Sequence, residues 1–223
     1  LTVIILVTAV LLIAVFYRAG LDRMRRDFIA LRYVQDAQTA LLSRPAKRTL
    51  AVTKLDRAME LSPDEHTVSQ LVPEMYINSG EYKKALVLLE KQPAPDALLL
   101  GQCLLKAGDA QEGAQLLISI AEDAQQKYHA HSISENEFAG QLNNVGYMLA
   151  DAGVEIKQAR GLLEVAVGNN PLNYNYLDSL GWAYYQLGMN REALFYLERA
   201  VRMQPHNYQQ SEILYHLGMA YFR

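Results

Sequence analysis

The 223-residue chain has a single cysteine, Cys103, and therefore cannot form an internal disulfide. Cys103 lies in the apolar run of residues 98–105, where we expect it to be a small buried side chain. Charge is nearly balanced, with 21 basic residues against 24 acidic ones, and no basic stripe interleaves with aromatic residues. The composition therefore argues against a nucleic-acid partner.

Sequence signatures of catalysis are also missing. There is no glycine-rich loop of the kind that cradles phosphate and no strand-to-helix turn carrying a nucleophile. His129 and His131 form the only close histidine pair, and no third or fourth ligand lies near them, so we expect a polar linker there. We predict a non-enzymatic protein with no catalytic residues, no cofactor, no metal and no small-molecule substrate.

The only long uncharged run occupies residues 1–17, LTVIILVTAVLLIAVFY. At 1.5 Å per residue, a helix of this length covers roughly 25 Å of a hydrocarbon core that is about 30 Å thick. We therefore expect a transmembrane helix over residues 1–20, in contact with a lipid bilayer or neighbouring hydrophobic helices. A secretory signal segment and a buried core helix are the alternatives. This makes the chain a single-pass membrane protein.

Basic residues come directly after the apolar run, beginning with Arg18 and Arg23, and weakly favour a cytoplasmic location for the rest of the chain. Apolar residues then recur every three or four positions, which predicts an amphipathic stalk helix over residues 21–44 that ends before Pro45. The stripe comprises Leu21, Met24, Phe28, Leu31, Val34, Ala37 and Leu41.

The last fifty or so residues carry a helix-pair pattern. It reads Leu177-x-x-Leu180-Gly181-x-x-Tyr184, then Gly188, Ala193, Leu197, Ala200 and Pro205. Small residues stand where two helices touch, large apolar residues form the buried stripes, and Gly188 and Pro205 end the helices. The pattern resembles a tetratricopeptide repeat. The resemblance implies an all-α, right-handed solenoid of about five helix pairs whose usual role is to bind proteins.

The same register extends towards the N-terminus. We predict degenerate repeats over residues 45–127, a linker over 128–138, and well-formed repeats over 139–223, the last of them incomplete. One extra residue is expected in the turn near residues 154–156, and the stalk serves as the first helix of the first pair. Ser62 and Ser134 are predicted helix N-caps, and left-handed helix ends are expected at Gly80, Gly108, Gly153 and Gly188.

The resemblance also implies a binding face on the inner side of each first helix. Carried onto this chain, the protein-binding residues are Asn143, Tyr147, Asp178, Trp182, Tyr185, Tyr215 and Met219. We expect Trp182, Tyr185 and Tyr215 to be exposed there, because aromatic side chains dominate interface energetics.

The sequence supports two functional hypotheses. The first is a membrane-anchored scaffold of bacterial type that binds protein partners, or copies of itself, and catalyses nothing. The alternative starts from the N-terminal helix, which resembles that of type IV pilins and pseudopilins, although Ile5 stands where those proteins usually carry an acidic residue. In that case the helix packs into a filament and displays the repeats outside the cell.

Overall fold

A computed structural model describes the backbone of residues 2–43, 45–205 and 211–223, and the side chains of these residues from Val15 onward. Across these ranges the chain forms eleven helices and no strand, which confirms the all-α prediction. The chain divides into two compact units, Leu1–Pro93 and Ala94–Arg223.

Unit 1 holds four helices: α1 (Thr2–Leu42), α2 (Arg48–Leu61), α3 (His66–Ser79) and α4 (Tyr82–Leu89). The C-terminal half of α1 packs against α2 and α3, and α3 packs against α4. Alanines and aliphatic side chains from all four helices fill the core: Ala30, Val34, Ala37, Ala51, Leu55, Ala58, Val68, Val72, Ala85 and Leu89. As expected from the sequence, α1 acts as the first helix of the first pair.

The predicted transmembrane helix falls mostly on residues 1–14, whose side chains lie outside the described part of the structure. Among the described residues, no helix is long and apolar enough to cross a bilayer. The prediction of a single-pass membrane location is therefore wrong. From Arg18 onward α1 is a charged helix, with Asp22, Arg23 and Arg25 following within two turns, and charges at this density are expensive in hydrocarbon.

Ser62 does not cap a helix as predicted. Instead, α3 starts four residues later, and its N-cap is Glu65, whose carboxylate accepts a hydrogen bond from the backbone N–H of Val68 at 2.7 Å. The Ser62 hydroxyl donates to the carboxylate of Asp27 on α1. The serine at this position is compatible with either arrangement, because its hydroxyl can accept a hydrogen bond from a backbone N–H at a helix start or donate one to a side chain of a neighbouring helix.

Pro73 lies inside α3, where proline removes the amide that would bond to the carbonyl four residues earlier. That carbonyl belongs to Ser69, and the side-chain amide of Gln92 donates to it at 3.1 Å. Gln92 follows the end of α4, so the helix hairpin itself delivers the replacement donor. This explains how a helix interior accommodates proline without an unpaired carbonyl.

We expect Gln92→Leu to lower the local stability of α3 by about 1 kcal/mol, because the Ser69 carbonyl loses its donor. Hydrogen exchange of the α3 amides measures this. The matched control is Gln92→Leu in a Pro73→Ala background, where the new amide at position 73 can bond to Ser69. There the effect of losing Gln92 should nearly vanish. An equal effect in both backgrounds would show that Gln92 acts independently of the proline.

Unit 2 contains α5 (Ala97–Ala107), α6 (Ala110–His129), α7 (Glu135–Ala152), α8 (Ile156–Asn169), α9 (Tyr174–Gln186), α10 (Asn190–Met203) and α11 (Ser211–Phe222). Three helix pairs, α5–α6, α7–α8 and α9–α10, precede the single helix α11. Ser134 caps α7 as predicted, accepting a hydrogen bond from the Glu137 amide at 3.2 Å. The described residues of this unit share one apolar core running through all the pairs.

Glycines let the two helices of each pair approach closely. In each pair, a Cβ added to the glycine of the first helix would lie within 2.8 Å of the Cγ of a leucine on the second helix: 2.8 Å for Gly101 and Leu117, 2.6 Å for Gly146 and Leu163, and 2.6 Å for Gly181 and Leu197. The glycine and leucine are 16 residues apart in the α5–α6 and α9–α10 pairs (117 − 101 and 197 − 181) but 17 apart in the α7–α8 pair (163 − 146). The turn between α7 and α8 therefore contains the predicted extra residue.

Helix ends in both units follow the predicted backbone chemistry. Gly80, Gly108, Gly153 and Gly188 all have positive φ, the conformation for which glycine is preferred. Glu155, in the lengthened turn before α8, also adopts a left-handed conformation, with φ 45°. Cys103 is fully buried in α5, and burial raises the pKa of its thiol to about 11, which confirms its expected structural role.

Candidate functional site

The first helices of the last repeats, α7, α9 and α11, carry all of the predicted binding residues. Asn143 and Tyr147 lie on α7, Asp178, Trp182 and Tyr185 on α9, and Tyr215 and Met219 on α11. Five side chains from α9 and α11 pack around one another: Asp178, Trp182, Tyr185, Tyr215 and His216. We call this group the α9–α11 cluster. The predicted residues thus converge, but around a histidine that the sequence reasoning did not select.

A buried, hydrogen-bonded pair of side chains, Asp178 and His216, lies at the centre of the cluster. The His216 Nδ1 is 3.0 Å from each carboxylate oxygen of Asp178, and only 3% and 8% of the His216 and Asp178 side chains are exposed. Burial raises the pKa of the Asp178 carboxyl, and the hydrogen bond from His216 opposes this shift without cancelling it. The pair therefore joins α11 to α9 through a hydrogen-bonded contact that water barely reaches.

Trp182 covers this Asp178–His216 pair. Its ring stacks on the His216 imidazole with centroids 4.2 Å apart, and on the Tyr185 ring at 4.9 Å. Only 6% of Trp182 is exposed, so the expectation that it is an exposed contact residue is wrong. The ring of Trp182 is covered instead by His216 of α11. The indole Nε1 has no hydrogen-bond partner among the described residues.

Tyr185 and Tyr215 form the accessible side of the cluster. Tyr215 is 58% exposed and lies 6.3 Å from the Trp182 ring, while Tyr185 is partly buried. The guanidinium of Arg223 sits 4.9 Å above the Tyr185 ring and donates a 2.7 Å hydrogen bond to the Tyr185 carbonyl. An exposed tyrosine beside a tyrosine and an arginine is the composition typical of an interface hot spot.

The residues on α7 border the cluster. The Tyr147 hydroxyl donates to the carboxylate of Glu212 on α11, and its ring lies 6.3 Å from His216. Burial first, and then this hydrogen bond, raise the pKa of Tyr147. Asn143 is buried, and its side-chain carbonyl oxygen lacks a hydrogen-bond partner among the described residues. Met219, further along α11, is half-buried against the core.

Sequence reasoning missed His216, Glu212 and Arg223 as members of this site. For His216 a signal exists: Ile213, His216 and Ala220 are spaced by three and four residues and form the buried stripe of α11. A histidine on such a stripe faces the preceding repeat and needs a polar partner there. The contact of Arg223 with Tyr185 has no comparable sequence signal, because the two residues are 38 positions apart.

Chemically, the cluster combines one buried carboxyl and one imidazole with three aromatic rings. Within the described residues, no three histidine, cysteine or carboxylate side chains converge on one point. The hydroxyl nearest in sequence to Asp178, that of Ser179, donates to the backbone carbonyl of Asn175 at 2.9 Å. The Asp178–His216 pair therefore fixes α11 and the aromatic rings that stack on it.

Comparison with known proteins agrees with this architecture. The family model of the tetratricopeptide repeat matches residues 174–207, which begin at the first residue of α9 and include all of α10. A tetratricopeptide-repeat-containing protein of Pseudomonas aeruginosa is 29% identical over 185 residues, which is 81% of this chain. The chain spans only 29% of the length of that relative.

Among solved structures, the chain is similar to the MamA protein, with a TM-score of 0.49 and 17% identity over 82% of this chain and 92% of that one. It is also similar to YrrB, which is described as a tetratricopeptide protein with an unusual peptide-binding site. That comparison gives a TM-score of 0.44 and 20% identity, and covers 89% of this chain and 96% of YrrB. The pilin-like alternative gains no support from the Pseudomonas relative, which is described as a tetratricopeptide-repeat-containing protein. The chain is thus all-helical across the residues that the structure describes, and its residues 174–207 match the tetratricopeptide repeat.

Proposed function

We propose that this protein is a non-catalytic scaffold that binds protein partners through the accessible side of the α9–α11 cluster. The observation that carries the proposal is Tyr215, an aromatic side chain that remains 58% exposed on a rigid, buried base of Asp178, Trp182 and His216. A tyrosine held in this way contributes a large contact area and loses little conformational entropy on binding.

A peptide segment is the partner that we favour for this surface. Peptide main chain presents an acceptor carbonyl at every residue, and the exposed Tyr215 hydroxyl and the Arg223 guanidinium can donate to such acceptors. The Trp182 Nε1–H and the Asn143 side-chain oxygen are buried in this structure and take no part in this contact.

The partner surface would then be amphipathic. Tyr215 offers a ring and a hydroxyl, and Arg223 offers a guanidinium that already stacks on Tyr185. These groups fit a segment with an apolar or aromatic side chain flanked by main-chain carbonyls or a carboxylate. The well-packed helices beneath them would bind this segment without rearranging, which keeps the entropic cost of association low.

We expect Tyr215→Ala to weaken partner binding about thirtyfold, corresponding to roughly 2 kcal/mol for a hot-spot aromatic residue. Affinity purification of the intact chain with quantitative mass spectrometry identifies the partner. The affinity is then measured by titrating the partner into the protein and following the fluorescence of Trp182, the only tryptophan of the chain. Because Tyr215 is exposed, the helical signal and unfolding midpoint of the variant should stay unchanged.

Phe195→Ala is the matched control. Phe195 is also an exposed aromatic residue, at 55%, but it lies on α10, a second helix. Loss of binding in both variants would indicate general stickiness of exposed aromatic rings. Retention of binding by Tyr215→Ala would place the binding surface elsewhere on the molecule.

A further inference from the structure

A second surface lies on α1, in the other unit, and has no role in the proposed function. The exposed apolar side chains Tyr17, Leu21, Met24 and Phe28 follow one another at intervals of four, three and four residues. We call them the α1 seam. Met24 and Phe28 are 68% and 63% exposed. Such a row of large apolar side chains in water is unfavourable unless something covers it.

The α1 seam is separate from the face that α1 uses inside its own unit. At about 100° per residue, the four seam positions fall within an arc of about 60°. The buried residues Ala30, Val34 and Ala37, which pack against α2 and α3, lie on the roughly opposite side of the helix. The apolar stripe predicted from the sequence for α1 therefore consists of two stripes on different sides of the helix. The later one packs against α2 and α3, whereas the α1 seam has no packing partner among the described residues.

The spacing of the seam fits another helix. Alternation of four and three residues is the heptad repeat, in which Leu21 and Phe28 occupy the a positions and Tyr17 and Met24 the d positions. In the sequence the same spacing continues upstream through Ala14, Val10, Val7 and Val3, so no polar residue interrupts it. A seam with this period is complementary to an identical seam.

Charges beside the seam favour a second copy of this chain in parallel orientation. Three arginines line one flank, at the e positions: Arg18, Arg25 and Arg32. Asp27 lies on the other flank, at a g position, half-buried and with one carboxylate oxygen bonded to Ser62. In a parallel pair, a g residue faces the e residue five positions later on the partner, which places Asp27 opposite Arg32 twice by symmetry. In an antiparallel pair the arginine flanks would face each other and repel.

We propose that two copies of this chain associate through a parallel coiled coil formed by the α1 seams. The dimer would cover the exposed seam of each copy, and the repeats of both copies would then be available to partners at once. The proposal rests on α1 alone and stands or fails independently of the α9–α11 cluster.

Disulfide trapping of the full chain tests the proposal. Met24→Cys places a thiol at the centre of the seam, and Arg26→Cys places one at the f position, facing away from it. The native thiol, Cys103, is fully buried and does not compete. Under mild oxidation we expect the Met24→Cys chain to form a covalent dimer, and the Arg26→Cys chain to stay monomeric in denaturing gels. Equal cross-linking of both variants, or of neither, would overturn the proposal.

Light scattering provides a second readout without cross-links. The parent chain should have about twice the monomer mass of 25.1 kDa, and Met24→Glu should weaken dimerisation more than tenfold, because it places two like charges in the seam. Arg32→Glu should weaken it several-fold, and adding Asp27→Lys should restore it. A monomeric parent chain that instead floats with phosphatidylcholine vesicles would show that lipid covers the seam, and would overturn the dimer.

Discussion

Replacing His216 with leucine should lower the free energy of unfolding of unit 2 by about 3 kcal/mol. The replacement leaves the Asp178 carboxylate buried with no hydrogen-bond donor from His216, and removing the partner of a buried charge typically costs about 3–5 kcal/mol. We expect the lower end of that range, because burial already raises the pKa of Asp178 and protonation can relieve part of the cost. Urea denaturation followed by the fluorescence of Trp182 reports on this unit, since the protein has no other tryptophan.

The double variant separates charge from packing. Adding Asp178→Asn to His216→Leu removes the unpaired charge while keeping the shape of the side chain, so a large part of the lost stability should return. If the double variant is as unstable as His216→Leu alone, the imidazole contributes through its stacking on Trp182, at 4.2 Å, and its hydrogen bond to Asp178 contributes little.

Gly181→Leu should destabilise the same unit by about 3 kcal/mol through overpacking. Even a Cβ at this position would lie 2.6 Å from the Leu197 Cγ and 3.1 Å from the Leu197 backbone nitrogen. The backbone contact matters most, because a side chain can rotate away whereas two helix backbones must move apart. The same denaturation experiment measures the effect.

Gly161→Ala is the control for this prediction. Gly161 also lies in a helix, α8, but a Cβ there would meet nothing within 4 Å. Alanine should therefore stabilise the protein by about 0.5–1 kcal/mol through its higher helix propensity. The two glycine substitutions should shift the unfolding midpoint in opposite directions. Shifts of the same sign and size would mean that α9 and α10 do not approach closely at Gly181.

Much of the fold was predictable because the repeat places fixed demands on particular residues. Gly146 and Gly181 had to be small where helices touch, and Gly80 and Gly188 had to adopt positive φ, so local sequence sufficed to identify them. Even the extra residue before α8 showed as a shift in spacing. These features depend on contacts within one helix pair, which a periodic pattern encodes directly.

Features that depend on contacts between pairs were less predictable. The sequence predicted an exposed Trp182, but could not show that His216, on a later helix, would cover its ring. Ser62 had the pattern of a cap, yet its hydroxyl bonds to Asp27, 35 residues away. The membrane prediction rested on residues 1–17, and no helix in the described part of the chain can span a bilayer. The partner-binding role of the cluster stays a prediction.

The bond between Gln92 and the Ser69 carbonyl makes the effect of Pro73 conditional on a residue 19 positions later (92 − 73). Without the glutamine, proline at this site should cost α3 about 1 kcal/mol more, whereas the glutamine should have little effect in a chain without the proline. We therefore expect order-dependent epistasis: a mutational path that gains Gln92 first keeps α3 stable throughout, and the reverse path passes through a weakened intermediate. The same asymmetry applies in the laboratory, where a protein engineer who recombines this hairpin with another repeat must transfer α3 and the segment after α4 together.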